Sequence, residues 1–223
     1  NMTAVIVLSM ALTPLVVILH RRFTGPDSVT LDGVEAPRDL QGKVLIIGFG
    51  RVGQIASQGP LARGAQLSII DSDPDAIRAA EPYGFKVYYG DGARTDVLHA
   101  AGAHHAQAIL VCIDDKDATT RIVENIQREF PHCVIVTRAF DRQHALELIK
   151  LDAHHVVRET FESALQMGQH AVAALGATDD EAAAITERVR KRDTERFELE
   201  DVSGVFAGRA LLLGNIEHID PPV

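Results

Sequence analysis

Three glycines spaced for phosphate contact are the clearest chemical signal in this chain. Gly48-Phe49-Gly50-Arg51-Val52-Gly53 follows the apolar run Val44-Leu45-Ile46-Ile47 and opens a helical stretch reaching about residue 63. In this pattern the first glycine permits a tight turn. The second lets the backbone approach a pyrophosphate, and the third lets helix and strand pack closely. The amino terminus of the helix then offers unpaired N–H groups and a partial positive charge to an anion. The next apolar run, Gln66-Leu67-Ser68-Ile69-Ile70, ends in Asp71. A carboxylate there accepts hydrogen bonds from ribose hydroxyls and repels a 2′-phosphate, which favours NAD(H) or an adenosine nucleotide over NADP(H). Asp71-Ser72-Asp73 and Gly90-Asp91-Gly92-Ala93 follow the second and third strands and belong to the same carboxyl edge, with Cys112 and Ile113 at the end of the fourth. The expected cofactor-binding set is therefore Gly48, Phe49, Gly50, Arg51, Val52, Gly53, Asp71, Ser72, Asp73, Gly90, Asp91, Gly92, Ala93, Cys112 and Ile113.

The elements that must position these groups alternate strand and helix. Strands are expected at 44–47, 66–70, 86–89, 108–113, 133–137 and 155–157. Helices are expected at about 74–83, 95–101, 118–129 and 142–151 between them. Short continuous apolar runs suit strands buried on both faces of a parallel sheet. Right-handed crossovers predict the order 3-2-1-4-5-6, a doubly wound Rossmann fold with its crevice above strands 1 and 4. Asp114-Asp115 reads as a helix cap in preference to a ligand contact.

The whole chain has 223 residues, 46% hydrophobic and 24% charged, with a formal net charge of −9. That balance describes a folded protein, and its acidity argues against a nucleic-acid partner. Cys112 and Cys133 are expected to be buried in apolar runs, fitting neither a metal site nor a redox pair. His104-His105, His132, His144, His154-His155 and His170 show no metal-ligand spacing and are expected on the surface or in loops.

Residues 2–19 carry no charge and are followed by His20-Arg21-Arg22. At 1.5 Å per residue the run spans roughly 27 Å, and the trailing cations favour a transmembrane helix ending on the cytoplasmic side. A chain starting with Asn1 is expected to continue upstream, so residues 1–20 read as the last span of a truncated transporter. Residues 21–42, punctuated by Gly and Pro, read as a linker to a nucleotide-binding domain over 43–158. Residues 159–200 form a helical extension. Leu165, Val172, Leu175 and the alanines 164, 171 and 174 give its first helix an apolar face; Gly176 stops it. Thr178-Asp179-Asp180-Glu181 then makes a capping box for a charged second helix. The extension either folds back on its own domain or, as favoured here, pairs with a second copy. The tail, 201–223, is expected to be poorly ordered.

The sequence resembles the cytoplasmic regulatory (RCK or KTN) domains of Kef-type potassium:proton antiporters. The resemblance spans about residues 43–197 and is carried by Gly48-Phe49-Gly50-Arg51-Val52-Gly53-Gln54, Asp71-Ser72-Asp73-Pro74, Val87-Tyr88-Tyr89-Gly90-Asp91-Gly92-Ala93, Phe130-Pro131-His132 and Arg158-Glu159-Thr160-Phe161-Glu162-Ser163-Ala164-Leu165. Leu8-Ser9-Met10-Ala11-Leu12-Thr13-Pro14 is similar to the last membrane helix of those transporters. The resemblance implies a homodimer in the bacterial inner membrane, with this domain facing the cytoplasm, that binds AMP or NAD(H) and gates potassium efflux without catalysis. In the best-known members glutathione closes the system, and Arg158 matches an arginine of that second site. Gln58 and Asp193 stand where those members have arginine and asparagine. A cation lost and an anion gained weaken capture of an anionic tripeptide and argue against glutathione here. Two other functions compete. An NAD-dependent oxidoreductase needs a substrate domain and an acid/base pair, and no Tyr-x-x-x-Lys occurs. The RCK domain of a potassium channel differs only in sequence upstream.

Overall fold

The computed structural model describes residues 33–204, 207, 208 and 211. The expected membrane helix at 1–20, the first part of the expected linker and most of the tail lie outside the described residues. Among the described residues no helix is long and apolar enough to cross a membrane.

Six strands form one sheet: β1 Val44–Ile47, β2 Leu67–Asp71, β3 Tyr88–Tyr89, β4 Ala108–Val111, β5 Val134–Ala139 and β6 His155–Arg158. Their order is β3-β2-β1-β4-β5-β6, and all pairings are parallel, with Ile46 opposite both Ile69 and Leu110. The fold is the expected Rossmann sheet. Pleating sends alternate residues of β1 to opposite faces. Leu45 and Ile47 join a core with Ile109, Ile122, Ile126 and Phe130, while Ile46 joins Phe49, Ile69, Ile77 and Val87 on the other face. Burial on both faces explains the uninterrupted apolar runs.

Helices fill the crossovers: α1 Arg51–Ala62, α2 Pro74–Ala80, α3 Thr95–Ala100, α4 Lys116–Glu129 and α5 Arg142–Lys150. Asp73, Asp115 and Asp141 cap α2, α4 and α5, each accepting a backbone N–H of the first turn. β3 is shorter than the expected 86–89. Only Tyr88 and Tyr89 pair with β2, and the N–H of Tyr89 donates to the carbonyl of Glu35 at 2.7 Å. The segment ahead of β1 thus lies against the sheet edge, with Pro37 buried.

His144 corrects the expectation that the histidines are superficial. It is 2% exposed in the first turn of α5. Its Nδ1 accepts the N–H of Phe140 at 3.2 Å and its Nε2 lies 3.4 Å from the Thr120 hydroxyl. Burial holds its pKa below the ordinary histidine range. His104, His105, His132, His154, His155 and His170 are exposed, and both cysteines are buried.

After β6 come α6 Phe161–Ala174 and α7 Asp179–Ser203, which pack on each other. Gly176 takes φ +100° beyond the end of α6, as its stop position requires. The Thr178–Glu181 capping box forms in full. A partly buried ionic cluster ties α7 to α5 and the sheet edge. Arg142 donates to the Asp193 carboxylate at 2.6 Å and also pairs with Glu200. Arg158 pairs with the other Asp193 oxygen, its guanidinium 3.8 Å from the Phe161 ring centre. Arg196 donates to Glu200, which is 1% exposed, at 2.7 Å.

Candidate functional site

The loop between β1 and α1 is built by two constraints on its glycines. Gly48 has φ +90°, which L side chains avoid, and a Cβ there would lie 2.7 Å from Cγ2 of Ile113. At Gly53 a Cβ would lie 2.1 Å from the carbonyl oxygen of Gly48. The turn and the first turn of α1 therefore touch backbone to backbone. Gly50, the N-cap, contributes no side-chain cap, and a Cβ built on it meets nothing within 4 Å. The start of α1 is an open, uncapped set of donors, unlike the carboxylate-capped α2, α4 and α5.

A crevice of about 360 Å³ lies against this opening along the carboxyl ends of the strands. Gly48, Gly50, Asp71, Ser72, Asp73, Gly90, Asp91, Gly92, Cys112 and Ile113 all line it. The remaining expected residues do not. Phe49 is fully buried beneath the loop, its ring 4.8 Å from that of Phe85. Gly53 is buried, Val52 packs against the core and Arg51 is exposed at the head of α1. Ala93 stands just outside, its carbonyl accepting from Asn125 at 2.8 Å. These five shape the loop or its flanks.

The crevice also takes in residues outside the expected set, among them Ala76, Ala118, Ile122 and the pair Asp114-Asp115. Asp115 caps α4 as expected and lines the crevice as well. Asp114 pairs with Arg138 of β5, whose Nε donates to Glu159 at 2.9 Å. Burial opposes the charge on Arg138, but Asp114 and Glu159 outweigh it and raise its pKa above the ordinary arginine value. The available signal is a pair of carboxylates three and four positions beyond β4.

Asp71 has a second task that spacing does not reveal. One carboxylate oxygen accepts the N–H of Phe49 at 2.6 Å and the other the N–H of Asp73 at 2.8 Å. It fixes the glycine loop to the end of β2. Four lone-pair directions on a carboxylate leave room for sugar hydroxyls besides these bonds. Burial pushes the Cys112 thiol up to about 11, so it is a neutral wall of the crevice. Among the described residues no group of His, Cys, Asp and Glu is arranged to hold a metal ion.

Arg158 lies away from this crevice, at the α7 interface, with its guanidinium already paired to Asp193. Burial pushes the Asp193 carboxyl up, but hydrogen bonding and charge from Arg158, with Arg142, outweigh it and hold its pKa below the ordinary aspartate range.

A glycine loop at the switch point of a parallel sheet, with an acidic residue ending β2, defines a dinucleotide-fold domain. Residues 44–159 match the TrkA-N domain family, and the chain belongs to it. It is 39% identical over 208 residues to the glutathione-regulated potassium-efflux system protein of Haemophilus influenzae, an alignment covering 91% of this chain and 34% of that protein. The chain thus spans about a third of the length of this relative. Among solved structures, the Kef CTD of Shewanella denitrificans in its AMP-bound form is 36% identical, with TM-score 0.65, covering 71% of this chain and 97% of that one. The GsuK channel bound to NAD is 21% identical with TM-score 0.53, covering 72% of this chain and 28% of that one, a likeness of fold alone.

Proposed function

We propose that this chain is the nucleotide-sensing regulatory part of a bacterial potassium-efflux antiporter, and that it performs no chemistry on its ligand. The observation that carries this is the uncapped amino terminus of α1, opening at Gly50 into the crevice beside Asp71. Phosphate lies on the free N–H groups, Asp71 takes the ribose hydroxyls, and Gly90-Asp91-Gly92 walls the adenosine. AMP in the related Kef domain supports an adenylate. NAD(H) fits the same fingerprint.

Residues 43–158 act as the ligand domain and 159–200 as a helical extension that pairs with a second copy. Supporting this, the face expected to be apolar on α6 is largely open in the single chain: Leu175 is 88% exposed, alanines 164, 171 and 174 are exposed, and Leu165 is the one member of the face that is buried. Residues 1–20 are the last membrane span and 21–42 the linker, with the domain on the cytoplasmic side of the inner membrane. The ligand would act by binding two arrangements of the pair unequally. A route exists from crevice to extension: Asp114 lines the crevice, Arg138 joins it to Glu159, and the next residue back, Arg158, holds α7. Asp193 already neutralises Arg158, which supports the view that glutathione is not its ligand.

Calorimetric titration with AMP and NAD tests the site. Binding is expected for the native chain and should fall at least about tenfold in Asp71→Ala, which loses a charged acceptor. Absence of binding by either nucleotide refutes the proposal. Flux through the full-length transporter, with and without the nucleotide that binds, tests the gating.

A further inference from the structure

The crevice divides at the glycine loop. On the β2 and β3 side lie Asp71, Asp73 and Asp91; on the β4 side lie Asp114 and Asp115. Among the described residues that line it, none is lysine or arginine. Neighbouring cations lie outside the lining. Arg138 is 8% exposed and stands behind Asp114, which is 77% exposed, with its donors taken by Asp114, Glu159 and the Cys112 carbonyl. Lys116 pairs with Asp141 and lies 4.9 Å from the centre of the Phe140 ring. Arg51 is exposed and outside the lining.

A phosphate seated at Gly50 is stabilised by the head of α1. A ligand extending from there across the switch point next meets Asp114 and Asp115. One oxygen of Asp115 accepts the N–H of Ala118 at 2.7 Å, and one oxygen of Asp114 pairs with Arg138. Neither of these bonds uses the second oxygen of its carboxylate. Such a wall accepts hydroxyl protons. It offers little to a terminal phosphate, which is mostly deprotonated at neutral pH and carries like charge.

Resting on the adenylate reading above, we propose that Asp114 and Asp115 set the ligand class. The site accepts a nucleoside monophosphate, or a dinucleotide whose second half is a hydroxyl-bearing nucleoside, and rejects nucleoside di- and triphosphates. It would report an adenylate that is not a phosphoryl donor.

The test is calorimetry of the whole chain with AMP, NAD, ADP and ATP, with EDTA present to keep the nucleotides free of divalent cations. AMP and NAD should bind about tenfold or more tightly than ATP at low salt, with ADP between. In the double variant Asp114→Asn, Asp115→Asn the preference should shrink toward unity, since asparagine retains the cap and an acceptor for Arg138 without the charge. A salt series on the native chain gives a second reading that needs no variant. The preference for AMP over ATP should narrow as the screening length falls from about 10 Å at 0.1 M to about 3 Å at 1 M. ATP binding as tightly as AMP at low salt, or a preference unchanged both in the variant and at high salt, overturns the proposal. Failure of all four nucleotides to bind overturns the adenylate reading instead.

Discussion

Two alanine substitutions, three residues apart, should separate folding from binding. At Gly53 a Cβ would sit 2.1 Å from the Gly48 carbonyl oxygen, far inside contact distance and against backbone that cannot swing aside. Overpacking of this kind costs about 1–3 kcal/mol. For a domain of this size that lowers the melting temperature by about 2–4 °C per kcal/mol, so Gly53→Ala should melt roughly 2–12 °C below the native chain. Gly50 is the opposite case. Its φ of −73° suits alanine, and nothing lies within 4 Å. The weaker cap preference of alanine costs about 0.5–1 kcal/mol, and the stiffer unfolded chain returns about 0.4–1 kcal/mol. Gly50→Ala should therefore melt within about 2 °C of native. The added methyl occupies the space a phosphate needs, so ligand stabilisation should vanish. For the native chain that stabilisation is about 2.7 kcal/mol at a hundredfold excess of AMP over Kd, or roughly 5–10 °C. Differential scanning fluorimetry with and without AMP reads all of these. A Gly50→Ala chain that keeps the full AMP shift would refute the cradle, and a Gly53→Ala chain as stable as native would refute the packing account.

Asp193→Ala strips a partner from Arg142 and Arg158 and should destabilise by about 3 kcal/mol at pH 7 in denaturant titration. Because the folded pKa of Asp193 is depressed, its stabilising contribution is present above its unfolded value near 4 and is lost as pH falls through the folded value; the variant's deficit should shrink in that acid window. His144 is buried with a lowered pKa, so the native chain should lose stability as pH falls from about 6.5 toward that value, and His144→Gln should flatten this part of the profile. The thiols of Cys112 and Cys133 are buried with raised pKa, Cys112 to about 11, so neither should react with a disulfide reagent at neutral pH until the chain is unfolded. Prompt labelling of the folded chain would contradict that burial.

Local patterns carried most of the fold and part of the site. The apolar runs, the glycine fingerprint and the Thr178–Glu181 capping box act over a few residues, and the structure bears them out. What sequence could not supply were pairings between distant side chains. Arg142 reaches Asp193 across 51 positions and Arg138 reaches Asp114 across 24, and no periodicity announces either. His144 looks like any helix-start histidine until α4 brings Thr120 against it. At Asp71 the spacing points to a ribose contact alone, since the hold on the Phe49 N–H depends on how the loop turns. In sequence Asp114 and Asp115 look like caps, and only the folded edge places them in the crevice.

The grip of Asp193 and Glu200 on Arg142, Arg158 and Arg196 bears on where this protein can be cut. A fragment ending after β6 would retain the whole sheet but expose two guanidinium groups whose natural anions have been removed with α7. It would capture stray carboxylates and phosphates at that edge. Anion binding by such a fragment would reflect the missing helix, and a trustworthy ligand assay needs a chain that runs past Glu200.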